Sequence, residues 1–321
     1  MELNEIYAPV QADLDKVKDE LKSISRVDFP WLSEQLEHVV KGVGKGIRPA
    51  LTLLSGKFHH YDLEYLLPMA VSVELMHTST LVHDDAIDKS SVRRGQPTIN
   101  FLWGQDIAIL LGDYLFAKAG EYVSDTRNPR AIKLFSQTLG IISSGEINQF
   151  RAAFNPDQTR DAYLKRIGGK TASLFALSTG SGAILTKAPE SAIAILRDYG
   201  YHLGIAFQIV DDILDFIGTE DTLGKPVGSD LAQGTLTLPA MLLLEKYPGP
   251  GNPVRKSFTE KSSAYIAEAI DRIKNSSIVD ECYRVASEYC DKACRDLGSL
   301  PESPAGPLLR ELADYVLRRR I

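Results

Sequence analysis

The sequence predicts an all-α fold, a single domain over residues 1–321 in which helices bundle around a cavity. Apolar residues recur at helical spacing almost everywhere, and no stretch shows the period-two alternation of a half-buried strand. An apolar share of 44% against 24% charged residues is ordinary for a globular protein, and 321 residues are enough to enclose one large core. Two apolar helices also end on matching triplets of aspartate, which places acid at the rim of whatever those helices line.

Taken in order, the chain opens on an acidic amphipathic stretch, MELNEIYAPVQADLDKVKDEL, without the basic flank and apolar core of a signal peptide. Breaks are expected at Val43 to Pro49, Gly56 to Asp62, Lys89 to Pro97, Asn128 to Pro129, Asn155 to Thr159, Gly218 to Gly228 and Tyr247 to Pro253. The last reads YPGPGNP, and three prolines in so short a span cannot continue a helix. In GVGKGIRPALTLLSG, Pro49 suits the first helical position, and Lys45 and Arg48 project near a helix N-terminus, where anions are favoured. Cys282, Cys290 and Cys294 have no histidine nearby to complete a zinc set and read as buried free thiols of a reducing, cytoplasmic compartment. No run approaches the roughly 20 apolar residues of a membrane span. A formal charge of -6 argues against nucleic acid as a partner.

The chemistry concentrates in LVHDDAIDKSSVRRG, residues 81–95. Asp84 and Asp88 fall on one helical face a turn apart, with Asp85 beside them, and two carboxylates so placed can share a divalent cation. Arg93 and Arg94 follow at once, with planar forks suited to phosphate oxygens, so the stretch reads as a diphosphate clamp. The same acidic spacing returns 127 residues later as Asp211, Asp212 and Asp215 in QIVDDILDFIG, with Gln208 on the same stripe and a loop carrying Lys225 behind it. One such triplet is weak evidence; two on apolar helices, each followed by cations, are strong. Glu74 and His77 also have the Glu-x-x-His spacing of di-iron bundles, but none of the other five histidines has a glutamate three residues before it, so the second copy is missing.

On these motifs the chain resembles the trans-type isoprenyl diphosphate synthases of the polyprenyl synthetase family, from about Gly42 to the C-terminus, and among them a long-chain member. The resemblance implies the isoprenoid synthase type of fold, antiparallel helices around a deep central apolar cavity, in a homodimer. It implies head-to-tail condensation of isopentenyl diphosphate with an allylic prenyl diphosphate, with about three magnesium ions per active site bridging the leaving diphosphate. Asp84 and Asp88 are the implied ligands of two ions and Asp211 of the third, Asp215 is counted with them, and Asp85 and Asp212 complete the catalytic clusters. Lys45, Arg48, His77 and Arg94 are implied at the isopentenyl diphosphate, although Val43 stands where the family motif has glycine. Arg93, Lys170 and Lys225 are implied at the allylic diphosphate, and Thr171 and Gln208 as dipoles aimed at the developing cation. Thr235 replaces a lysine common in the family, and Arg318 to Arg320 read as a solvated basic tail, with folding over the isopentenyl pocket as the alternative.

Product length is legible one helical turn before Asp84, about 5.4 Å deeper in the cavity. Short-chain members carry an aromatic there, whereas this chain has Ser79 and Thr80; an open floor then implies a long trans-polyprenyl product, with Met76 or Phe116 as a deeper stop. A geranylgeranyl or farnesyl diphosphate synthase is the alternative. A class I terpene cyclase lacks the second DDxxD motif and the isopentenyl site, and an inactive regulatory subunit is expected to have lost one motif. The absence of a transmembrane run leaves room for transient membrane contact during product release.

Overall fold

The computed structural model describes residues 1–42, 44–219 and 226–319. The chain runs through α1 (Leu3–Tyr7), α2 (Gln11–Ser23), α3 (Pro30–Lys41), α4 (Ile47–Gly56) and α5 (Leu63–Ile87) into a short hairpin, β1 (Val92–Arg93) and β2 (Gln96–Pro97). Next come α6 (Ile99–Trp103), α7 (Gln105–Asp125), α8 (Pro129–Ala152), α9 (Arg160–Ile167), α10 (Ser173–Leu185) and α11 (Glu190–Ile217). The C-terminal part holds α12 (Ser229–Ala232), α13 (Leu238–Lys246), α14 (Pro253–Glu260), α15 (Ser263–Lys274), α16 (Ile278–Cys294) and α17 (Ala305–Arg318). The fold is all-α, as expected, apart from the hairpin, which stands where only a loop was anticipated. It pairs Val92 with Pro97 and Arg93 with Gln96, and two residues per strand are too few for alternation to register. Pro49 is the third residue of α4 rather than the first, still in the turn whose N–H groups have no intrahelical acceptor.

The chain packs as two compact units. One comprises Met1–Leu139, Leu174–Gly200 and Cys294–Leu312. Its centre is α5, buried along most of its length, with α7 running antiparallel beside it. Ser72 donates to the Ala119 carbonyl and Ser79 to the Gly112 carbonyl, each at 2.7 Å, so two small side chains seven residues apart tie helix to helix. Net worth is about 1 kcal/mol per bond, and each small side chain lets the backbones approach.

The other unit comprises Gly140–Ser173, Tyr201–Ala293 and the stretch from Ala313. There α9 passes into α10 through a π-helical turn, Gly168–Ala172, a wide turn of the kind that often marks functional sites. The loop expected at Tyr247 to Pro253 is held by Asn252, which donates to the carbonyls of Leu243 and Tyr247 and accepts from Val254 N–H at the start of α14. Cys282 and Cys290 are buried and Cys294 half-buried, all three as free thiols; burial pushes the Cys282 thiol up and keeps it protonated. No described helix is long and apolar enough to cross a membrane.

Candidate active site

In the first unit the acidic motif closes α5. Asp88 is the cap residue, its N–H donating to the Asp84 carbonyl at 2.8 Å, so helical geometry persists through the motif and the Asp84 and Asp88 side chains share a face. Asp84 is half-buried and Asp88 exposed. Asp85 points the other way: it is buried, and its carboxylate receives Arg93 Nε at 2.8 and 2.9 Å and Nη2 at 2.8 Å. Burial pushes Asp85 up to about 6 while the Arg93 guanidinium opposes that rise. Asp85 therefore orients an arginine, and the hairpin is what brings Arg93 back over it.

The glycine-rich segment and the centre of α5 form a second group in this unit. Gly46, at φ +65°, caps α4 in a conformation that a side chain would strain, and it sets Lys45 exposed and Arg48 half-buried at the helix start. Arg48 lies with its guanidinium carbon 5.0 Å from the centre of the Phe175 ring. Arg94 donates to the Gly42 carbonyl at 3.0 Å and covers Gly44, where a Cβ would stand only 2.4 Å from Nη1. Gly44, Glu74, His77, Asp85, Arg93 and Arg94 line one pocket. His77 sits well below its ordinary pKa, by burial first and then by Arg48, Arg94 and Arg93, so its imidazole is neutral. Ser79 is fully buried against α7 and Thr80 half-buried; Met76 is fully buried, and Phe116 is half-buried with its ring 5.5 Å from that of His83. His83 itself packs on α7, 3.0 Å from the Ile109 carbonyl.

In the second unit a continuous relay links the predicted residues. Thr171 donates to Gln208 Oε1 at 2.5 Å, Gln208 Nε2 donates to Asp212 at 2.8 Å, and Tyr163 donates to the other Asp212 oxygen at 2.7 Å. Asp212 is almost wholly buried and is pushed up to about 7 by burial and by Asp230, against the pull of Gln208, Tyr163 and Arg166. Asp215 is also buried, and its carboxylate accepts from the Ser229 hydroxyl at 2.9 Å and Asp230 N–H at 3.2 Å, tying the start of α12 to α11. Asp211 is the half-buried acid of the triplet, and Arg319 reaches it at 2.7 Å while stacking 4.1 Å from the Phe207 ring. That contact corrects the solvated-tail reading for Arg319; Arg318 is exposed, and Arg320 lies outside the described residues. Lys170, in the π turn, pairs with Glu146 of α8 at 2.8 Å. Lys225 and Val43 also lie outside the described residues. Reading the sequence missed Tyr163, Glu146 and Arg319 as partners of site residues, because none lies within helical reach of the group it touches.

Residues 29–273 match the family described as polyprenyl synthetase. The chain belongs to this family. Among its relatives, heptaprenyl diphosphate synthase component 2 of Geobacillus stearothermophilus is 40% identical over 319 residues, covering 99% of each chain. The crystal structure of heptaprenyl diphosphate synthase from Staphylococcus aureus superposes with a TM-score of 0.92 at 36% identity, covering 97% of this chain and 99% of that one. A polyprenyl synthase from Caulobacter crescentus, complexed with calcium and isoprenyl diphosphate, superposes with a TM-score of 0.95 at 31% identity, covering 100% and 98%.

The donor set of this polyprenyl synthetase suits a hard divalent cation, since carboxylate oxygens are what magnesium or calcium takes. Among the described residues no group of three acid, histidine or cysteine side chains is gathered closely enough to cage an ion unaided.

Proposed function

We propose that this chain condenses isopentenyl diphosphate head-to-tail with an allylic prenyl diphosphate and repeats the step to give a long trans-polyprenyl diphosphate. The observation that carries the reading is the division of labour along α5. The Asp84 and Asp88 face suits a diphosphate that comes with cations, and the pocket of His77 and Arg94 suits one held by protein cations alone. A condensation of two diphosphates needs both. The names of the relatives, heptaprenyl diphosphate synthase in two species, support a long product.

In this reading Lys45, Arg48, His77 and Arg94 hold isopentenyl diphosphate, and neutral His77 donates a hydrogen bond without adding charge. Asp84, Asp88 and Asp211 hold magnesium, which when bound stabilises charge on the departing diphosphate. Asp85 aims Arg93, and Lys170 supplies a further cation to the allylic diphosphate. Asp215 ties the start of α12 to α11. The Thr171 and Gln208 oxygens direct dipoles toward the allylic carbon as its bond breaks. The isopentenyl double bond attacks that carbon, a proton leaves to the released diphosphate, and apolar walls exclude water.

Phe101 and Leu102 of α6 and Ile109 and Leu110 of α7 are exposed, and an apolar face of this kind supports a homodimer. The printed name of the Geobacillus relative, component 2, supports a second arrangement in which a partner subunit is required. Incubating the purified chain with magnesium, labelled isopentenyl diphosphate and geranyl or farnesyl diphosphate tests both. A ladder extending beyond geranylgeranyl diphosphate supports the long-chain reading, and one ending there makes this a medium-chain enzyme. Condensation only after a partner subunit is added supports the two-component arrangement, and no condensation under either condition refutes the proposed reaction.

A further inference from the structure

Arg94 stands where the backbone resists an arginine. With Gly95 it makes the two-residue turn of the hairpin, and both have positive φ, +51° and +73°. Turns with two such residues favour glycine and asparagine, and an arginine persists there only where its surroundings hold it. On the β1 side the hold comes from α5, through the Asp85 carboxylate on Arg93 and the Ser90 N–H on the Asp85 carbonyl at 3.0 Å. At the base of the hairpin, Thr98 and Asn100 both donate to the Ser90 carbonyl, at 2.5 and 2.9 Å. On the β2 side the hold comes from α3, where His38 Nε2 lies 2.7 Å from the Pro97 carbonyl. A carbonyl only accepts, so Nε2 carries the proton and donates. The imidazole meets the Trp103 ring edge-on, 5.5 Å between centres at 77°. Four residues beyond His38 the same helix is capped by Gly42, whose carbonyl takes Arg94 Nη1 at 3.0 Å. The end of α3 therefore meets the hairpin twice, once through the backbone of β2 and once through Arg94 itself. His38, Gly42, Gly44, Arg94 and Pro97 line the same pocket.

We infer that His38 is a positioning residue of the reaction: by fastening β2 to α3 it keeps the Arg94 guanidinium on the Gly42 and Gly44 wall, where it meets the diphosphate of isopentenyl diphosphate. The inference rests on the reading of this pocket as the isopentenyl diphosphate site. His38 acts through Arg94, and the property that matters at position 38 is a hydrogen-bond donor rather than a ring.

The test compares H38F, which keeps a ring beside Trp103 and loses the donor, with H38Q, which can still donate to the Pro97 carbonyl. R94A is the control on the pocket, and H38F/R94A closes a double-mutant cycle. Binding of isopentenyl diphosphate to the full chain without metal is measured by calorimetry, alongside melting temperature and the KM and kcat of the complete reaction. H38F is expected to weaken isopentenyl diphosphate binding and raise its KM about fivefold, the scale of one neutral hydrogen bond, with kcat and the allylic KM within about twofold of wild type. H38Q is expected to stay within about twofold of wild type throughout, and H38F to add less than about twofold once Arg94 is gone. If R94A weakens binding but H38F does not, or if H38Q loses as much as H38F, the inference falls and the pocket reading stands. Simply additive losses in the double variant mean that His38 acts apart from Arg94, which also overturns it. A lower melting temperature in H38F with an unchanged KM, or an equal rise in both KM values, assigns His38 to the fold alone and overturns it as well. If R94A leaves binding unchanged, the pocket reading falls and takes the inference with it.

Discussion

Replacing Tyr163 with phenylalanine tests the buried relay of the second unit. Tyr163 is fully buried, and its hydroxyl donates at 2.7 Å to Asp212, whose other oxygen accepts from Gln208 at 2.8 Å. Tyr163→Phe removes one of these two donors without changing the shape of the ring, and no solvent reaches the vacated oxygen. Above about pH 7, where Asp212 is ionised, a hydrogen bond to a charged group is worth about 1.5–3 kcal/mol, which for a large domain corresponds to roughly 3–12 °C in melting temperature. Thermal unfolding of Y163F, D212N and the double variant, read with turnover, measures the coupling. The double variant is expected to cost at least about 1 kcal/mol less than the sum of the singles, because each removes the same bond. Turnover is expected to fall in each single variant, since Asp212 orients Gln208 and through it Thr171. A Y163F protein within about 0.5 kcal/mol of wild type, or strictly additive costs, refutes the relay as a unit.

Removing the Arg319 side chain releases Asp211 from its ion pair, so R319A is expected to bind magnesium up to about fivefold more tightly by calorimetry, the scale of a partly exposed pair; unchanged or weaker binding counts against it. His77 has a folded pKa below its unfolded value near 6.5, so its neutral form contributes stability that is fully present above that pH and is lost as pH falls through it. The loss approaches about 1.4 kcal/mol per pH unit, and H77Q is expected to flatten it between about pH 6.5 and 5.5 in denaturant titrations; parallel curves for the two proteins contradict the burial of a neutral imidazole. Thr80 is half-buried where Ser79 is sealed against α7, so T80F is expected to shorten the product ladder to geranylgeranyl diphosphate or below, and an unchanged ladder removes Thr80 from the determinants of length.

Helix boundaries were legible because glycine and proline act locally. The expected breaks at Gly56 to Asp62 and Tyr247 to Pro253 separate α4 from α5 and α13 from α14. The breaks that went unseen had weaker or tertiary causes. Thr186 to Pro189 carries a single proline, and the π turn at Gly168–Ala172 keeps helical hydrogen bonding while widening it, so periodicity passes through almost unbroken. The hairpin after α5 carries Arg93 back to Asp85, a pairing between residues that the local pattern shows only as polar loop.

The two aspartate triplets mark where sequence stops informing. Their spacing is identical, and spacing does correctly put Asp84 with Asp88 on a face apart from Asp85. It cannot say what meets each acid. Asp85 is drawn inward by an arginine eight residues away, Asp212 by a tyrosine 49 residues earlier, and Asp215 by a serine and a backbone N–H at the next helix start. Identical motifs therefore have different fates: the first acid of each is half-buried, the second is buried under a hydrogen-bond donor, and the third is exposed in one copy and sealed in the other. The difference at the third position has a local cause. Asp88 ends its helix as the cap residue, while α11 continues two residues beyond Asp215, so the same carboxylate spacing reaches solvent in α5 and the start of α12 in α11.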